Sequence, residues 1–218
     1  MLGLARDRGL NMIFYDYYAD VPEETLRAFV SKQELGHFVT AGADGQPHIG
    51  LYPFLFLGEK IELHLHRNDE QLTDLLTNRK CVFEVDEMHG SVPSHWTHPT
   101  NAMFATAYHR TVIFECEAEV SDDPEVLAAQ QQRLMAHYQP DGGHQAVSTE
   151  HAMYRGPFKE IRALTLHVRA RKVKWKLAQN RSREQREKLI AQLRARARPS
   201  DAGAADALQW TLDYEASK

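Results

Sequence analysis

The sequence is poor in cysteine: Cys81 and Cys116 are its only two in 218 residues, both in apolar strand-like runs and at no metal-binding spacing. That excludes a disulfide-stapled scaffold and reads as two buried thiols in a reducing compartment, the cytoplasm. Nowhere do about 18 uncharged apolar residues run together, so no membrane span is expected. Residues 1–11 lack the apolar core and small-residue cleavage site of an export signal, and Met12 is a candidate start. Charge is balanced as well, at a formal net of -4, which provides no global pull toward nucleic acid or anionic lipid. There is no glycine-rich phosphate loop and no serine or cysteine in a nucleophile-elbow context. Kinase and hydrolase readings weaken accordingly, and any catalysis has to come from a cofactor.

What is present suits a globular chain with a real core: 43% of residues are hydrophobic and 26% charged. Asp20-Val21-Pro22-Glu23 opens a helix that carries Leu26, Phe29 and Val30 to near Glu34. Strands are expected over 37–40 and 48–57 around the turn Ala43-Asp44-Gly45, and over 61–66, where Ile and Leu alternate with Glu and His. A short helix with Leu72, Leu75 and Leu76 follows from Asp69, then a strand over 81–85 and a long loop over 90–101. His109 to Val120 reads as a strand, Asp123-Pro124-Glu125 caps a helix running toward Tyr138, and Asp141-Gly142-Gly143 opens a poorly patterned connection. Ala163 to Leu177 is a last long strand, with a polar stretch over 169–172 that could mark a bulge. Ser182-Arg183-Glu184-Gln185 is a capping box for a C-terminal helix. Strands without βαβ alternation predict a mainly β, antiparallel fold with flanking helices, closed as a small barrel.

Three segments can carry chemistry. His64-Leu65-His66-Arg67-Asn68-Asp69-Glu70-Gln71 runs from a strand into a helix, so Arg67 and the amides near Asn68 could meet a phosphate; a solvated arginine is the plain alternative. His64 and His66 share a strand face, but no third or fourth ligand follows, so no metal is assigned. Ser91 to Trp96 offers hydroxyls, an imidazole and the Trp96 indole for a planar ligand. The basic stretch from Lys172 to Arg198 could meet nucleic acid, yet interleaved Glu184 and Glu187 favour a solvated helix.

Val173-Lys174-Trp175-Lys176-Leu177-Ala178-Gln179-Asn180-Arg181-Ser182 closely resembles the K-W-K-L-S-Q-N-R-S signature of PaiB-like FMN-binding negative transcriptional regulators. Thr40 to Gly45 resembles that family's first hairpin, and His64-Leu65-x-Arg67 its H-L-x-R-x-N segment. Arg67-Asn68-Asp69-Glu70-Gln71 stands where the family has R-A-N-P-Q, which alters the asparagine contact at Asn68. Phe83 to Glu87, on through Tyr108 to Val120, is similar to the 5-nitroimidazole reductase branch of pyridoxamine-phosphate-oxidase-like proteins.

These resemblances imply an antiparallel FMN-binding split β-barrel over 12–180, with 181–218 as a helical extension packed on it, working as a homodimer with the flavin at the subunit interface. They imply that Arg67 and Gln71 hold phosphate, with Asn68 beside them. His48, Ile49, Gly50, Leu51 and Tyr52 would line the ring. His64 would be the flavin neighbour and candidate catalytic group, with Leu65 next to it, and Trp96, Lys176 and Gln179 would approach the cofactor. Three functions follow as expectations: an FMN-dependent oxidoreductase with a small-molecule substrate, a flavin-controlled regulator touching DNA, and, from the 12 histidines, a haem-handling barrel.

Overall fold

The computed structural model describes residues 15–218; the readings placed on 1–11 and Met12 lie outside the described residues. Seven strands form a sheet: β1 (Leu35–Ala41), β2 (Pro47–Pro53), β3 (Leu55–Phe56), β4 (Lys60–His66), β5 (Lys80–Val92), β6 (Thr106–Ser121) and β7 (Ile161–Lys176). Their order is β2-β1-β5-β6-β7-β4-β3. The pairs β1/β2, β1/β5, β3/β4 and β4/β7 are all antiparallel.

The helices are α1 (Asp16–Ala19), α2 (Glu23–Ser31), α3 (Glu70–Thr77), α4 (Pro124–Tyr138), α5 (Ala152–Arg155), α6 (Pro157–Glu160), α7 (Arg183–Arg196) and α8 (Asp201–Ala216). Three of them, α3, α4 and α7, start on side chains that satisfy orphan amides. Asp69 accepts from the Gln71 amide, Asp123 from the Glu125 amide, and Ser182 with Gln185 completes the capping box.

The chain divides into two compact units. The larger comprises Pro22–Asp86 and Thr111–Lys172. Period-two alternation sends Phe38, Phe83 and Phe114 to its core, each fully buried, and each such ring contributes roughly 1.5–3 kcal/mol by leaving water. Register matches the core side chains: Phe38 lies opposite Phe83, Leu63 opposite Leu164 and Ile61 opposite Leu166. α4 packs on α6 and β7 through Leu127 and Ala128, which cluster with Phe158 and Ala163. Buried Glu62 of β4 holds Arg133 of α4 by two hydrogen bonds of 2.9 and 2.8 Å. The polar stretch of β7 lies inside a continuous strand, and ion pairs account for it: Arg169 meets Glu117 and Lys172 meets Glu115 at 2.9 and 2.7 Å.

The smaller unit comprises 15–21, Glu87–Arg110 and Val173–Lys218. In it α7 buries Leu189, Ile190 and Leu193, and α8 buries Ala204, Leu208 and Leu212. The expected loop over 90–101 begins later than its composition suggests. β5 continues to Val92 because Gly90 adopts φ +95°, where any Cβ would lie 2.7 Å from the Ser200 hydroxyl. Two 3-10 turns follow, Ser94–Trp96 and Ala102–Phe104.

Candidate functional site

Arg67 sits just past the end of β4, where its amide donates to the Glu160 carbonyl at 2.7 Å. That bond draws the α6–β7 junction to the strand end and builds a cavity of about 530 Å³. Its wall carries Arg67, Arg155, Lys159 and Arg162, with Asp122 the one carboxylate. Arg162 donates to the Lys159 and Ile161 carbonyls, whereas the side chains of Arg67, Arg155 and Lys159 have no acidic partner among the described residues. Unpaired cations converging on one cavity repel each other until an anion enters. This donor set fits a phosphate group. Sequence reading found Arg67 and missed its three companions, whose only local signal is the basic spacing in Arg155-x-x-x-Lys159-x-x-Arg162.

The other polar residues of the 64–71 segment turn inward. Gln71 is 1% exposed, and its amide nitrogen donates to the Phe38 carbonyl (2.9 Å), the Thr40 hydroxyl and the His48 carbonyl (both 3.3 Å). Its carbonyl oxygen accepts from Tyr52 at 2.8 Å, and the same hydroxyl reaches Asp69 at 3.0 Å. Gln71 therefore bolts α3 to the β1–β2 hairpin and has no amide proton pointing to solvent-borne phosphate. Asn68 is exposed, and its backbone amide donates to the His66 ring at 3.2 Å. Leu65 is buried in the core of the larger unit.

Asp74, which sequence reading passed over, completes this network. Its carboxylate accepts from Thr40 at 2.5 Å and meets the His48 Nδ1 at 2.8 Å. Burial pulls the Asp74 carboxyl up, but the hydrogen bonds from Thr40 and His48 and the nearby imidazole outweigh it, holding it below the usual carboxylate range. The hydrogen bond to Asp74 raises His48 above its ordinary 6.5.

Signs follow by linkage. The His48 contribution is fully present below 6.5 and is lost as pH rises through its raised folded value. The Asp74 contribution is present above the ordinary 3.8 and is lost as pH falls through its depressed value. His48→Gln is therefore expected to cost more stability at about pH 5.5 than at about pH 9, measured by urea unfolding at both; an equal cost would refute the ion pair.

The five residues His48 to Tyr52 do not share a face. His48 and Tyr52 turn to α3, and the Tyr52 ring lies so close over Gly50 that a Cβ there would sit 2.3 Å from it. Ile49 and Leu51 point the other way, 66% and 52% exposed, on the terminal strand of the sheet. They stand opposite Val39 and His37, with exposed Leu35 at the end of the same row.

His64 lies beneath α4, its Nδ1 3.2 Å from the Gln131 amide nitrogen, and burial pushes its pKa down, so the ring is neutral near pH 7. In the smaller unit Trp96 carries the Arg196 guanidinium 4.8 Å over its ring, beside a cavity of about 690 Å³. Gln179 brackets its own turn, accepting from the Leu177 amide at 2.8 Å and donating to the Trp175 carbonyl. Lys176 lines a separate small cavity.

A family model described as "Putative FMN-binding domain" matches residues 12–170. No protein of curated function matches the sequence. Among solved structures, the flavocytochrome Anf3 from Azotobacter vinelandii superposes with a TM-score of 0.58 at 18% identity, covering 71% of this chain and 67% of that one. The FAD and heme binding protein from Mycobacterium smegmatis gives 0.57 at 17% identity over 78% of each chain. A "putative 5-nitroimidazole antibiotic resistance protein" from Bacteroides thetaiotaomicron gives 0.55 at 12% identity, covering 70% of this chain and 83% of that one. The fold is the antiparallel split barrel that the family resemblance implied, in keeping with the small antiparallel barrel predicted from the strand pattern.

Proposed function

The chain belongs to the FMN-binding domain family matched over residues 12–170, and from that premise we propose that it is an FMN-dependent oxidoreductase acting on a small molecule. Its cofactor is FMN. The observation that carries the site is the cavity at the end of β4, where Arg67, Arg155 and Lys159 converge without acidic partners. These three hold the phosphate. Gln71, Asp74 and His48 act behind them, keeping α3 and the hairpin in register so that Arg67 is presented at a fixed strand end. Bound FMN supplies hydride or single-electron transfer at its ring, while the protein orients it and excludes water.

The ring lies along β2, and a second copy of the chain covers it. Support comes from the terminal strand, whose exposed Ile49 and Leu51 form an apolar row that a monomer leaves in water. Cys81 and Cys116, buried and unbridged, fit a cytoplasmic setting.

An oxidoreductase is favoured over a DNA-contacting regulator because the arginines of the C-terminal helix α7 are charge-compensated. Arg183 pairs with Glu187, Arg186 with Glu215, Arg194 with Asp206 and Arg196 with Asp201, which engages four of its cations that would otherwise be available to phosphates of a duplex. The test uses FMN-loaded protein of measured mass. Light scattering should give two chains, and NADH or NADPH should bleach the oxidised flavin band and turn over with quinone, nitroaromatic or tetrazolium acceptors. A flavin-loaded monomer, or a flavin that no donor reduces, overturns the respective part of this reading.

A further inference from the structure

The segment most like a family signature, Lys174 to Ser182, is a turn whose backbone is held unusually. β7 ends at Lys176, and Ala178 then adopts φ 64°, a left-handed conformation that a residue with a Cβ rarely takes. The Gln179 side chain ties the turn back to the end of β7, accepting from the Leu177 amide and donating to the Trp175 carbonyl, and the Arg181 amide closes it on the Ala178 carbonyl at 2.9 Å. Ser182 then caps α7. This bend carries Lys176, Asn180 and Arg181 to one wall of a cavity of about 270 Å³. Thr106, Tyr108 and Phe104 stand on the other side.

No carboxylate lines this cavity, and neither Lys176 nor Arg181 has an acidic partner among the described residues. Elsewhere in the same unit arginines are matched to acids, Arg110 to Glu87 and Arg196 to Asp201. Burial, with Lys174 as a second cation nearby, pushes the Lys176 ammonium down, so its charged form is under-solvated as it stands. The Arg181 guanidinium lies 5.1 Å over the Phe104 ring, which orients its planar fork beside the Lys176 point charge. Thr106 and Asn180 add neutral donors, and Tyr108 a phenol that burial keeps protonated up to about 12.

We propose that this cavity is an oxyanion site for the phosphate or carboxylate group of a small molecule other than FMN. Lys176 supplies the charge and Arg181 the two-pronged donor. The volume is below that of a pocket for a drug-sized ligand, so it takes one anionic group with at most a small ring laid on Phe104 and Tyr108. The site stands on its own residues and does not depend on what the flavin reduces.

The experiment is calorimetric titration of the FMN-loaded chain, in chloride buffer, with inorganic phosphate and separately with benzoate. At least one should bind saturably, phosphate alone indicating a phosphoryl ligand, benzoate alone a ring carboxylate, and both a general oxyanion seat. Lys176→Met and Arg181→Gln should each weaken binding about tenfold or more. On the wild-type chain, the same anion should protect Arg181 from phenylglyoxal, read by peptide mass, which keeps the test independent of whether the variants fold. The proposal falls if neither probe binds, if both variants bind as wild type, or if Arg181 is modified equally with and without the anion. It also falls if Lys176→Met or Arg181→Gln weakens the binding of FMN itself, read from the flavin spectrum, because the seat would then be the cofactor's own.

Discussion

Arg67→Ala is expected to raise the dissociation constant for FMN about ten- to a hundredfold, the loss of a charge-assisted contact of roughly 1.5–3 kcal/mol. The side chain is exposed and makes no ion pair among the described residues, so the cofactor-free variant should unfold with the wild-type protein. The two effects therefore separate: affinity falls and intrinsic stability does not. Adding Arg155→Ala should weaken binding further, because both cations face the same cavity. Arg194→Ala, which removes only a surface ion pair with Asp206, should leave FMN affinity unchanged. The measurement is quenching of FMN fluorescence on titration with apoprotein. Equal dissociation constants for wild type and Arg67→Ala would remove the phosphate from this corner.

Gln71→Ala should behave in the opposite way. The substitution leaves the carbonyls of Phe38 and His48 and the hydroxyl of Tyr52 without their amide partner, in a place where Gln71 itself is 1% exposed. Unsatisfied buried groups plus a small void cost about 2–4 kcal/mol, which in a chain of this size lowers the melting temperature by roughly 5–15 °C. The loss should be present in full in the cofactor-free protein, measured by urea unfolding. Were Gln71 a phosphate ligand instead, apoprotein stability would stay near wild type and FMN affinity alone would drop. Any weakening of FMN binding by Gln71→Ala is expected to follow from a loosened α3, since Asp69 caps that helix directly after the Arg67 corner.

Much of the framework was legible because it is local. Alternation of apolar residues placed β1, β4, β6 and β7 within a few residues of their observed ends, and Asp69, Asp123 and Ser182 marked helix starts by a bond each makes to an amide two or three residues on. The turn at Asp44-Gly45 is similar: Asp44 accepts from the Gln46 amide at 2.9 Å and Gly45 takes φ 84°. Where the reading slipped, the deciding partner was remote. β5 runs on to Val92 instead of stopping near Val85, with His89 and Val92 buried, because Gly90 bends at Ser200 on the far side of the sequence.

The site divides in the same way. Arg67 at a strand-to-helix junction is a sequence feature, since strand end, cap and arginine are contiguous. Arg155, Lys159 and Arg162 reach it only because β7 pairs with β4 in the register that sets Ile161 opposite His66, and a register is a property of two strands. Gln71 and Asp74 look, one helical turn at a time, like solvated polar residues between leucines; only the hairpin packed on that face makes them buried and bonded. The Lys174 to Ser182 signature carried the family resemblance, but folding splits its residues among a buried indole, a clamped turn, a helix cap and a cation-lined cavity. Sequence by itself determined most of the elements and several of their caps, because near-neighbour chemistry suffices for these, and its resemblance to a known family carried the cofactor class. Tertiary structure alone decided which polar side chains face a ligand and which hold the fold, because burial and charge pairing depend on what lies across space.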